Sequence, residues 1–218
     1  MSIKQTTKLE TTIFTKNVDQ ALSIYINQLV YDIKRQGRKV TTLSLGEAFF
    51  KIPMFDFSCL DFERGYHYSD TKGIPELRMK IAEYYQKFYK AEVLQDEVMI
   101  SAGSKAIIFM CMRALASTGT EVLIHEPAWV SYEQQAKLLD AKTKFIPYNT
   151  SINKFDHYIT SKTKLLIINN PNNPSGRLYT RKELEVLHKM SIEKNFYLLV
   201  DEAYSDFVID ETFVTMAD

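Results

Sequence analysis

From Glu97 onward, short apolar runs alternate with amphipathic segments of helix length, and this alternation constrains the fold more than any other feature of the chain. Val98–Ile100, Glu121–Ile124, a stretch near Thr143–Ile146, Leu165–Ile168 and Phe196–Val200 read as strands. Ile107, Ile108, Cys111, Met112 and Leu115 form one helical stripe, and Trp129–Leu139 forms a second helix. Thr180 and Glu183 have the spacing of a capping box and open a third, which carries Leu184 and Leu187. Parallel strands need a crossover long enough to hold a helix, whereas antiparallel ones can be joined by a tight turn. The pattern therefore predicts an α/β fold with a mainly parallel sheet and helices on both faces.

The N-terminal part reads less regularly. Leu22, Tyr25, Ile26, Leu29 and Ile33 give Val18–Gly37 a helical period, with Gly37 as a C-terminal stop. Val40–Leu45 reads as a short strand leading to Gly46. Pro75 suits the first turn of a helix, where its missing N–H has no partner to lose, and Leu77, Ile81, Tyr84 and Phe88 line one face of that helix.

At 218 residues the chain has room for one large domain, or one domain and part of another. Lys+Arg and Asp+Glu both number 27, a balance that argues against nucleic-acid binding through a general basic field. Cys59 and Cys111 are far apart and form no C-x-x-C pair, so they read as ordinary reduced thiols, with no metal site. The polar start MSIKQTTKLETT lacks the apolar core of a signal peptide, and no uncharged apolar run approaches the ~20 residues of a membrane helix. These features lead to the expectation of a soluble, cytoplasmic protein without a membrane partner.

Two of the expected strands run straight into polar clusters. Asn173 lies just past Leu165–Ile168, and Asp201 and Tyr204 lie just past Phe196–Val200. In an open parallel sheet such positions converge on one crevice at the carboxyl ends of the strands. An acid, an amide and a phenol there suit a planar, charged cofactor. A carboxylate at the end of an apolar strand is costly to bury unpaired, so Asp201 is expected to have a cationic partner. Ser101-Ala102-Gly103-Ser104-Lys105 forms a strand-to-helix turn whose free N–H groups could seat a phosphate, although small residues at a tight turn also serve structure alone. Trp129, the one tryptophan, fits either the core or a stacking role on a flat ring. Asn172-Asn173-Pro174-Ser175-Gly176 is equally explained as a rigid turn. Leu198–Glu202 is shaped like the acidic strand of a P-loop ATPase, but no G-x-x-x-x-G-K-[ST] loop accompanies it. His67, His125, His157 and His188 are scattered, and the G-x-S-x-G elbow of a hydrolase is missing.

Four stretches in order carry a more specific signal: Tyr68-Ser-Asp-Thr-Lys-Gly-Ile-Pro-Glu-Leu-Arg78, Pro127-Ala-Trp-Val-Ser-Tyr132, Asn170-Pro-Asn-Asn-Pro-Ser-Gly176 and Asp201-Glu-Ala-Tyr204. With them the chain resembles the N-terminal part of a fold-type I, pyridoxal-phosphate-dependent aminotransferase of class I/II, the aspartate aminotransferase family. The resemblance runs from Leu43-Ser44-Leu45-Gly46 to Tyr204. It implies that residues 1–45 contribute to a small domain and that 46–218 form the cofactor-binding large domain, cut before its final strands.

The resemblance also implies roles. Asp201 pairs with the pyridine nitrogen, Asn173 and Tyr204 bond the phenolic oxygen, and Trp129 stacks on the ring. Gly103, Ser104 and Lys105 bind the phosphate, Tyr68 reaches the phosphate of a neighbouring subunit in a homodimer, and Gly46 lies beside the substrate carboxylate. Ala48-Phe49-Phe50 departs from the Pro-Asp-Phe of many relatives, on the substrate side. The family's Schiff-base lysine follows the aspartate, whereas the last lysine here is Lys194, so no catalytic residue is assigned within the chain. The expectation is an aminotransferase acting on an amino acid and a 2-oxo acid, present as an inactive fragment. The alternative is a non-catalytic module that binds pyridoxal phosphate.

Overall fold

The structure, a computed structural model, describes residues 12–16, 18, 22–43, 51, 54–209 and 212–217. Four strands pair in parallel in the order β2-β1-β3-β4: β1 is Glu121–His125, β2 Lys142–Ile146, β3 Thr163–Asn169 and β4 Tyr197–Asp201. The central strands β1 and β3 are buried almost throughout, whereas β2 and β4 are more exposed. This matches composition: central strands of a parallel sheet are covered on both faces and read as continuous apolar runs.

Side chains alternate across the sheet. Val122, Ile124, Leu165 and Ile167 join one buried cluster with Ile108 and Met112 of α5 (Ser104–Leu115) and Tyr132 and Ala136 of α6 (Ser131–Leu138). Leu123, Leu166 and Ile168 join the opposite cluster with Leu184, Leu187 and Met190 of α7 (Arg181–Lys194) and with Phe155 of a 3-10 segment. Helices thus cover both faces, as the sequence pattern predicts. Among the described residues four more helices precede these: α1 (Ile13–Lys16), α2 (Leu22–Arg35), α3 (Phe62–Gly65) and α4 (Pro75–Tyr89), with Pro75 in the first turn of the last. The Thr180–Glu183 capping box forms as expected, with Thr180 Oγ1 accepting from the Glu183 N–H and Glu183 returning the bond to the Thr180 N–H.

Three expected elements differ. Val98–Ile100 is extended but lies outside the sheet; its Ile100 N–H donates to the Lys72 carbonyl, a lone tie rather than a ladder. Residues 40–43 are irregular, and the rest of the Val40–Leu45 strand lies outside the described residues, as does Gly46. The helix expected from Trp129 begins at Ser131, because Glu126–Trp129 forms the turn out of β1, with Glu126-Pro127 in cis.

Strand order also locates a crevice. β1 leads outward through α6 to β2, while β3 leads outward in the opposite direction through α7 to β4. The reversal falls between β1 and β3, and ligands of open α/β sheets bind outside the carboxyl ends of the strands at such a point.

Candidate functional site

Two turns leave the sheet at that reversal, one after β1 and one after β3. Asn172 joins them: its Nδ2 donates to the Pro127 carbonyl at 2.9 Å, while its Oδ1 accepts from the Ser175 N–H at 3.1 Å and the Ser175 hydroxyl at 2.7 Å. The Asn172 carbonyl accepts from Gly176 N–H at 2.8 Å, closing the turn, and Gly176 has φ +73°, a backbone conformation glycine adopts at little cost. Beneath it, Asn169 donates through Nδ2 to the Asp201 carbonyl at 2.7 Å and accepts from the Asn173 N–H at 2.5 Å. These bonds set the height of Asn173 relative to β4. Asn173 Nδ2 in turn lies 3.4 Å from the Tyr204 hydroxyl, so the expected amide–phenol pair is assembled.

Asp201, 9% exposed, ends β4. Its Oδ2 accepts from the Tyr132 hydroxyl at 2.6 Å and its Oδ1 from the Ala203 N–H at 3.1 Å. Within the chain, among the described residues, two neutral donors thus hold the carboxylate. Charge-assisted hydrogen bonds of this kind offset part of the cost of burying a carboxylate. Burial and the bond to Asp201 both push the Tyr132 phenol far above its ordinary range, so it stays a proton donor at neutral pH. Tyr132 packs edge-on against Trp129, with ring centroids 5.4 Å apart at 85°, and the Lys105 ammonium lies 5.3 Å from the Trp129 ring centroid. Gln135 Nε2 donates to the Lys105 carbonyl at 3.0 Å, tying the first turn of α5 to α6. Gly103 precedes α5 with φ +87° and ψ 157°, and Gly103, Ser104 and Lys105 are exposed.

Two cavities open at these positions. One of about 410 Å³ is lined by Ser104, Ile107, Cys111, Leu199 and Asp201 among others, so the start of α5 and the acid face a common space. The other, about 460 Å³, is lined by Asn173, Tyr204, Pro174, Leu178, Phe207 and Ile209 among others. Tyr68 is fully exposed. Among the described residues no group of His, Cys, Asp and Glu is arranged to hold a metal ion, and no helix is long and apolar enough to cross a membrane.

The comparisons with known proteins bear directly on this arrangement. The sequence profile of the family described as "Aminotransferase class I and II" matches residues 41–218. The chain belongs to that family. It is 31% identical over 198 residues to an aspartate aminotransferase of Bacillus sp. (strain YM-2), covering 87% of this chain and 50% of that protein. It is 29% identical over 201 residues to an asparagine–oxo-acid transaminase of Streptococcus mutans, covering 88% of this chain and 51% of that one. The crystal structure of an aspartate aminotransferase from Thermotoga maritima superposes with a TM-score of 0.82 at 28% identity, over 95% of this chain and 58% of the other. The chain therefore spans about half the length of the relatives it matches.

Four contributors were not singled out by sequence reasoning: Tyr132, Asn169, Asn170 and Asn172. Tyr132 closes the Pro127–Tyr132 stretch, so the motif marked it without giving its task. Asn170 anchors the turn from the far side, donating to the Val214 carbonyl at 3.0 Å and accepting from the Tyr179 N–H at 3.0 Å. Below it, buried His125 lies 2.5 Å from the Tyr179 hydroxyl, and burial together with the charge of Arg177 pulls its pKa down to about 4. His125 is thus a neutral support beneath the turn.

Proposed function

We propose that this chain forms the pyridoxal-phosphate-binding part of an aminotransferase that moves an amino group between an amino acid and a 2-oxo acid. The observation that carries the reading is the buried Asp201 carboxylate, held by Tyr132 and Ala203 and facing the same cavity as the start of α5. A fixed anion for a ring cation and free helix N–H groups for a phosphate open onto one space, so the residues present fit the cofactor.

Pyridoxal phosphate, when bound, supplies a protonated ring that accepts the electron pair left at Cα of the amino acid. The chain supplies position and electrostatics. Asp201 holds the ring nitrogen in its protonated form, and Tyr132 keeps that carboxylate oriented. Asn173 and Tyr204 offer hydrogen bonds to the phenolic oxygen, Trp129 offers a flat face, and Gly103, Ser104 and Lys105 take the phosphate. Gly46 serves the substrate carboxylate. Turnover further requires a lysine, and none follows Asp201 in these 218 residues. In this reading residues 46–218 make up the cofactor-binding unit, residues 1–45 join a smaller one, and the protein acts as a cytoplasmic homodimer in which exposed Tyr68 is free to reach the other subunit's phosphate.

Isothermal titration with pyridoxamine 5'-phosphate, which binds without covalent attachment, tests the reading. Uptake of one equivalent per chain that Asp201→Ala abolishes is the expected result. Failure of the wild-type chain to bind it overturns the proposal.

A further inference from the structure

The Tyr68–Arg78 stretch contains a clasp that acts at a distance from its own tyrosine. Arg78, 5% exposed in α4, sits between two acids, with Nη2 3.8 Å from Asp70 and Nη1 3.6 Å from Asp96. Its Nη1 also donates to the Gln95 carbonyl at 3.2 Å. Two further bonds cross the same gap: Lys72 Nζ to the Asp96 carbonyl at 3.2 Å, and Gln95 Nε2 to the Pro75 carbonyl at 3.2 Å. Asp70 shapes its own turn, accepting from Lys72 N–H at 2.8 Å through Oδ1 and from Gly73 N–H at 2.9 Å through its carbonyl.

At the far end of the clasp the Ile100 N–H donates to the Lys72 carbonyl at 2.8 Å. Gly73 leaves no slack there: its φ is +104°, and a Cβ would lie 2.4 Å from Ile100 Cγ1 and 2.6 Å from Ile100 Cβ. The segment from Gln95 to Ile100 is thus fastened at one end by charge and at the other by a hydrogen bond and close packing. Ser101-Ala102-Gly103 follows Ile100 at once and leads into α5. From the other side Gln135 meets the Lys105 carbonyl, the Lys105 ammonium lies over the Trp129 ring, and Ile108 and Met112 enter the core.

We infer that Asp70, Gly73 and Arg78 are positioning residues that aim the free N–H groups at the start of α5 toward a phosphate. The inference rests on the function proposed above and assigns the clasp to the phosphate end of the cofactor alone. Anion recognition by backbone N–H groups depends on their convergence, so a small swing of this turn weakens phosphate binding while leaving the ring contacts of Asp201, Asn173 and Trp129 in place.

The test compares pyridoxamine 5'-phosphate with unphosphorylated pyridoxamine, each titrated against the chain and followed by Trp129 fluorescence, the only tryptophan signal present. The wild type is expected to prefer the phosphorylated form by about 10-fold or more, the scale of one or more charge-assisted hydrogen bonds. In Arg78→Gln and in Asp70→Ala the preference is expected to fall to about 3-fold or less, through weaker binding of the phosphorylated form only. Asp70 is partly exposed, so its variant folds even where loss of Arg78 disrupts α4. A purely structural clasp lowers both affinities alike, and variants that keep the wild-type preference overturn the inference. A wild-type chain that binds neither compound instead overturns the proposed function itself.

Discussion

Tyr132→Phe removes one oxygen and leaves the ring, so it isolates the bond to Asp201. The phenol is 1% exposed and its hydroxyl lies 2.6 Å from Asp201 Oδ2. A phenylalanine keeps the edge-on contact with Trp129, so packing contributes little to the difference. A hydrogen bond to a charged group is worth about 1.5–3 kcal/mol, and its loss leaves a buried carboxylate oxygen short of a donor. For a chain of this size that corresponds to a fall in Tm of ~3–12 °C. Urea unfolding of Tyr132→Phe, Asp201→Ala and the double variant closes the cycle, and the coupling should recover ~1.5–3 kcal/mol. Because Asp201→Ala strands the buried Tyr132 hydroxyl, the two single losses should exceed the double when summed. A coupling below about 0.5 kcal/mol would refute the claim that this phenol holds the carboxylate.

Other consequences concern pH and capping. His125 has a pKa near 4 in the folded chain against 6.5 ordinarily, so the unfolded chain takes up the proton first as pH falls. The associated stability is fully present above pH 6.5 and is lost toward pH 4, by up to ~3 kcal/mol at 1.36 kcal/mol per pH unit; His125→Gln should lack this component in urea titrations at stepped pH. Burial, aided by the neighbouring Asp201 charge, raises the Glu202 carboxyl despite hydrogen bonds from Met216 N–H and the Thr215 hydroxyl. The folded chain therefore holds that proton more tightly than the unfolded one, and stability from it present below pH 4.5 is lost as pH rises, so Glu202→Gln should gain Tm relative to the wild type from pH 4.5 upward. Thr180→Ala removes the acceptor for the Glu183 N–H at the start of α7 and should cost about 1 kcal/mol in urea unfolding.

The sheet was legible in the sequence because both faces of β1 and β3 are buried, which writes unbroken apolar runs such as Leu165–Ile168. The α7 boundary was legible because a capping box is a local device. Val98–Ile100 shows the limit of that logic: apolar residues announce an extended chain, but whether a partner strand lies alongside is not a local property. The site divided in the same way. Asn173, Asp201 and Tyr204 stood out by lying at strand ends; the fold pairs Asn173 with Tyr204 and sets Asp201 in a separate cavity with the start of α5. The donors to Asp201 did not, since Tyr132 lies 69 positions away and meets it only because α6 folds back over the sheet. Nor did local pattern distinguish Tyr68, which ends up exposed, from Arg78, which is buried between acids in the same stretch.

The central claim is that the Asp201 carboxylate meets the ring nitrogen of the cofactor. Affinity for pyridoxamine 5'-phosphate against its analogue with carbon in place of that nitrogen, read by Trp129 fluorescence, measures this contact and little else. The wild type should favour the nitrogen-containing ring by about 10-fold or more, and Asp201→Asn should erase the preference. Equal affinities in the wild type, or a preference that survives Asp201→Asn, would contradict the claim.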